Sequence, residues 1–147
     1  MKKLSVLTII TFFTTVSLHA QKSAVFEQSG KAIRGYDPVA YFTEAKPILG
    51  KEELVYNWNS TNWYFSSKQN LDSFKTAPEK YAPQYGGYCA YGLSNGYKAP
   101  TSPDAWTIVN GKLYLNYNIQ VRESWDKKRD ERIEKADKHW PEIKVKG

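Results

Sequence analysis

A chain of 147 residues, 41% hydrophobic and 15% aromatic, is long enough for one buried core. Its formal charge of +6 is modest, and its basic residues alternate with acids, which excludes an extended nucleic-acid-binding face. A single cysteine, Cys89, rules out an intramolecular disulfide, and two histidines leave a protein-only zinc site without enough ligands.

Lys2 and Lys3 precede an apolar run over residues 4–16, and Ser17-Leu18-His19-Ala20 closes it with a small residue. This is the pattern of a secretory signal over residues 1–20, cleaved after Ala20. The run is shorter than the roughly 20 residues needed to cross a bilayer, and no later stretch is long and apolar enough to do so. Gln21, not Cys, follows the cut, so no lipoprotein anchor is expected. The expected product is exported, periplasmic or secreted, with no membrane span and a charge of +4 once Lys2 and Lys3 are gone.

Residues 21–31 read as a flexible lead-in. Residues 32–42 read as a turn at Asp37-Pro38 followed by a short apolar strand, because proline pushes the preceding residue away from helix. The aromatic runs 54–58 and 63–66, separated by Asn59-Ser60-Thr61-Asn62, predict a hairpin. Ser66 or Ser67 then caps a helix to about Lys75 that turns Leu71 and Phe74 inward; Pro78 stops it and opens a further helical turn.

Residues 106–109 and 112–117 flank Asn110-Gly111, the strongest short-range hairpin signal in the chain. Asn118 predicts the cap of a long last helix from Ile119 to His139, carrying Val121, Trp125, Ile133, Ala136 and Trp140 at near-helical spacing and ended by Pro141. The expected fold class is α+β: a small single domain over residues 32–141 with two β-hairpins, a short middle helix and a long C-terminal helix, then a tail over 142–147.

Chemistry concentrates in residues 85–118, where Gly86 and Gly87 sit among Tyr85, Tyr88, Tyr91 and Cys89. Glycines permit close approach and tyrosines supply rings with polar tips, a combination that suits a lined pocket and equally a packed turn. Cys89 reads as a buried small hydrophobe, as a ligand to a soft metal or haem iron, or as a reactive thiol. Tyrosines alone suit an organic ligand. His139 reads as a cationic residue near a helix C-terminus. No phosphate loop or serine elbow is present, and Asp37 and Asp104 sit beside prolines where turn-forming aspartates are usual.

With these pieces placed, the chain resembles the YHS-domain family in its longer exported form, over about residues 32–140. The resemblance rests on GYDPVAYF (35–42), WYFSS (63–67), PEKYAPQYGGYCAYG (78–92) and AWTIVNGKLYLNYN (105–118). It implies a YHS/TRASH-like core. Short metal-associated members carry DPVCG and YFCSxxC; here Ala40, Ser66 and Asn70 stand where those have cysteines. The resemblance therefore implies the fold without those metal ligands.

The functional expectation is an exported, non-enzymatic binding protein with no catalytic residue. Its site is expected where the Tyr36-Asp37 turn meets residues 85–91, with Tyr36, Asp37, Tyr85, Tyr88 and Tyr91 binding ligand and Cys89 as the metal ligand, for copper, iron or haem. The alternatives are an interaction module, a homodimer or a partner-binding protein with Cys89 simply packed, and a thiol-based redox accessory.

Overall fold

The computed structural model describes residues 23–146, so the leader expected at residues 1–20 lies outside the described residues. A four-stranded sheet has the order β1 (Glu27–Gln28), β2 (Lys31–Ala32), β4 (Thr61–Phe65), β3 (Lys51–Trp58). The short β2 runs parallel to β4, and the other pairs are antiparallel. Asn59 and Ser60, at φ 51° and 60°, make the tight β3–β4 turn whose twist matches the strands, which moves Thr61 and Asn62 from the expected loop into β4.

The strand expected after Asp37-Pro38 is instead a helical turn, α1 (Ala40–Thr43). Its cause is local: Asp37 Oδ1 accepts from the Val39 and Ala40 amides at 2.8 and 3.2 Å, satisfying donors that a helix start leaves open. Ser67 caps α2 (Lys68–Thr76) by accepting from the Asn70 amide, and Leu71 and Phe74 are buried as expected. Pro78 opens α3 (Pro78–Tyr81).

A 3₁₀ turn over Gln84–Gly87 leads to α4 (Ala90–Ser94). The hairpin of β5 (Trp106–Val109) and β6 (Lys112–Leu115) closes at Asn110-Gly111 in the expected register. Asn118 caps α5 (Ile119–Asp126), accepting from the Val121 amide at 2.8 Å. The single long helix expected from Ile119 is broken: Lys128 leaves helical geometry, and α6 (Arg129–Ile143) starts afresh. Trp125 and Ala136 would stand about 16 Å apart along one unbroken helix, whereas the bend lets both reach the same core cluster. Pro141 lies inside α6 and does not end it, since it forgoes only the bond to the Asp137 carbonyl on an exposed stretch near the helix end.

Two apolar clusters result. The first gathers Val25, Ile33, Val39, Tyr41, Trp63, Phe65, Phe74, Leu113 and Leu115 between the large sheet and α2. The second gathers Phe26, Tyr85, Tyr88, Leu93, Tyr114, Trp125 and Ala136 around α4, α5 and α6. Strand periodicity explains how β6 serves both: Leu113 and Leu115 enter one cluster, and Tyr114 between them enters the other. The lead-in is held from its first described residues, with Val25 and Phe26 buried one in each cluster.

On α6, Lys135 and Lys138 pair with Glu131 and Glu134 at 2.5 and 2.7 Å, and Lys146, just beyond the helix, pairs with Glu142. The glutamate-first, four-apart order is the favourable one on a helix. Among the described residues no helix is long and apolar enough to cross a membrane.

Candidate functional site

The residues expected to form one pocket do not converge on one: the Tyr36-Asp37 turn is held apart from residues 85–91. Asp37 is fully buried and is spent on hydrogen bonds. Besides the two amides of the α1 entry, its Oδ2 accepts from the Ser66 amide at 2.8 Å, the Ser66 hydroxyl at 2.7 Å and the Asn70 side-chain amide at 2.7 Å. Its own N–H donates to the Ile48 carbonyl, and neighbouring Tyr36 bridges to Leu49, which pins this turn to the start of β3. All its side-chain partners lie within residues 39–70, none in 85–91.

Cys89 precedes α4 and is 2% exposed. Its thiol donates to Asn116 Oδ1 at 3.6 Å, and the same oxygen accepts from the Tyr91 amide at 3.0 Å. Burial pushes the thiol up from its ordinary value, against a smaller opposing pull from the backbone amides of residues 92, 117 and 91. A raised, enclosed thiol is the opposite of the electropositive, accessible setting that activates a cysteine. Among the described residues no group of three or more His, Cys, Asp or Glu side chains is placed to hold a metal ion.

The tyrosines also divide. Tyr88 donates its hydroxyl to the Ser23 carbonyl at 2.8 Å and tilts against Phe26, fastening the lead-in. Tyr91 lies under the Arg132 guanidinium, 4.0 Å from the ring centroid, and so joins α4 to α6. Tyr85 donates to Asp137 Oδ1 at 2.8 Å, and burial followed by that bond raises its phenol well above the ordinary range.

Tyr85 and Cys89 have the same consequence for pH. A group whose folded pKa is raised lends stability that is complete below its unfolded value and is lost as pH rises through the folded one. Urea midpoints should therefore hold steady through neutral pH and fall above about pH 9, near the ordinary thiol and phenol values. Tyr85→Phe with Cys89→Ser should lessen that alkaline fall but not abolish it, since burial also raises the phenols of Tyr41, Tyr88 and Tyr114; an unaltered fall in the double variant would show that Tyr85 and Cys89 do not cause it.

One cleft does bring ligand-type residues together. Trp58 at the end of β3, Trp63 of β4, Tyr85 of the 3₁₀ turn and Trp140 of α6 line a space of about 200 Å³. Glu79 of α3 and Lys144 beyond α6 bring one charge of each sign, and Ala24, Val25 and Gly86 are among the other residues of the wall. Trp140 meets the Tyr85 ring edge-on, with centroids 6.0 Å apart, and Trp58 tilts against Trp63 at 5.9 Å. Of the ligand-binding and metal residues expected from sequence, only Tyr85 lines this cleft. Trp58 and Trp63 are neighbours in the β3–β4 hairpin, but Trp140 lies far along the chain on a helix that reads as an ordinary core element, so its convergence on them has no local signature.

No curated protein and no solved structure matches this chain. A family model does: residues 39–85, from the entry of α1 through β3, β4, α2 and α3 to Tyr85, match the YHS domain. The match spans the elements packed around the first apolar cluster, and the chain is a YHS domain-containing protein.

Proposed function

We propose that this protein is an exported, non-catalytic binding protein that takes a small zwitterion in the aromatic cleft between the YHS elements and the last helix. The observation that carries this reading is the convergence of Trp58, Trp63, Tyr85 and Trp140, from four elements, on one cleft that also holds Glu79 and Lys144. Aromatic faces attract an ammonium group, most strongly when it carries methyls and sheds water easily. Glu79 adds to that attraction, and Lys144 suits an anionic group on the same molecule. A volume of about 200 Å³ is below the usual range for drug-sized ligands, which restricts the occupant to a compact molecule. Export is supported by Lys2, Lys3 and the apolar run over residues 4–16. Cys89, enclosed against Asn116, is left to packing.

Intrinsic tryptophan fluorescence, titrated with glycine betaine, choline and the neutral analogue 3,3-dimethylbutanol, tests the proposal. The expected order of affinity is betaine, then choline, then the alcohol, and Trp140→Ala should weaken betaine about tenfold. Glu79→Gln should weaken both charged probes and leave the alcohol unchanged. Lack of saturation by any of the three at tens of millimolar would overturn the proposal, as would equal affinity for all three.

A further inference from the structure

Of the three positions at which the metal-associated YHS pattern carries cysteines, Ala40 lies far in sequence from Ser66 and Asn70, yet all three contact one carboxyl group. Ala40 donates its amide to Asp37 Oδ1 at 3.2 Å, and the Ser66 hydroxyl and Asn70 side-chain amide both reach Oδ2 at 2.7 Å. Ser66 Oγ and Asn70 Nδ2 are themselves 3.4 Å apart. The fold thus gathers these positions, but the residues there do not fit a metal ion. Asp37 already accepts from five donors, and Ser66 and Asn70 present donor groups toward it.

Charge accounts for the difference. Thiolates grouped around a buried carboxylate would be several negative charges in one place, tolerable only with a bound cation among them. A hydroxyl and a carboxamide are neutral donors and complement the carboxylate with no cation at all.

We infer that in this chain the YHS sulfur position has become a metal-independent latch. Asp37 fastens the entry of α1 to the corner where β4 passes into α2, with Ser66 and Asn70 as the clasping side chains. Since Ser66 opens that corner and Asn70 lies in the first turn of α2, the latch sets the angle between strand and helix and so the fit of Phe74 beneath the sheet. The inference is independent of the aromatic cleft, which shares no residue with it.

Thermal unfolding with and without Zn(II), Co(II) and Cu(I) tests it on the purified protein, Ser66→Ala, Asn70→Leu and the triple variant A40C/S66C/N70C. The wild type is expected to show no metal-dependent change in Tm. Ser66→Ala and Asn70→Leu should each lower Tm by several degrees in the presence or absence of metal. The triple variant should take up Co(II) with thiolate charge-transfer absorption in the near ultraviolet, and its Tm should become metal-dependent. A stoichiometric metal-dependent rise in wild-type Tm that Ser66→Ala abolishes would overturn the latch, and so would an unchanged Tm in both single variants. A triple variant that folds but binds no Co(II) would overturn the equivalence of positions; if it does not fold, the two single variants decide the matter.

Discussion

Asp37→Ala is expected to lose about 3–5 kcal/mol of stability, the range seen when one partner is removed from a buried charged network. The magnitude follows from what is stranded. Without the carboxylate, the amides of Val39, Ala40 and Ser66 and the Asn70 carboxamide keep their buried positions and lose their acceptor. Each buried donor left without a partner costs about 1–3 kcal/mol, reduced where relaxation admits water. Asp37→Asn keeps the shape but turns an NH₂ toward donors on one side of the group, whichever way it rotates, so it should fall between alanine and wild type. A domain of this size has about 5–15 kcal/mol in total, so Asp37→Ala is expected to be partly unfolded at 37 °C. Urea unfolding followed by tryptophan fluorescence measures it, and a loss below about 1 kcal/mol would show that the network is dispensable.

The same residue shows where sequence reading reaches its limit. Asp37-Pro38 was legible as a turn because proline restricts its neighbour, and the Asn110-Gly111 hairpin and the Ser67 and Asn118 caps were legible because each is decided within a few residues. The local half of Asp37's role, bonding to the Val39 and Ala40 amides, was within reach as a helix-entry signal, and missing it turned α1 into an expected strand. The other half was not within reach, since Ser66 and Asn70 lie about thirty positions further on. The break at Lys128 was hidden for a related reason: residues 126–130 carry charges that tolerate helix or turn alike, and the demand that Trp125 and Ala136 share one cluster is tertiary. Counting aromatic residues around Cys89 located Tyr85 but not its cleft partners, because Trp58 and Trp63, paired in their own hairpin, meet Tyr85 and Trp140 only after the last helix has docked.

Gly86→Ala carries the second large effect and ties the fold to the proposed binding cleft. Gly86 holds φ +62°, and a Cβ there would stand 1.9 Å from the Ala24 carbonyl oxygen and 3.0 Å from Val25 Cα. Both obstacles are backbone, so no rotamer change relieves the overlap, and residues 24–26 must move away. That motion breaks the bond from the Phe26 amide to the Gly86 carbonyl (2.9 Å) and draws Val25 and Phe26 out of the two apolar clusters. Exposing two such side chains costs about 3–5 kcal/mol. Ala24 and Val25 also wall the cleft, so betaine binding should weaken along with stability, and proteolysis near residues 23–26 should speed up. Gly111→Ala is the matched control: its φ is +73° with nothing within 4 Å of the added Cβ, so it carries only the backbone strain, about 1 kcal/mol. If the two variants lose equal stability, the close approach of the lead-in to Gly86 contributes nothing; a Gly86→Ala loss several times larger, with faster cleavage at the lead-in, assigns the excess to that contact.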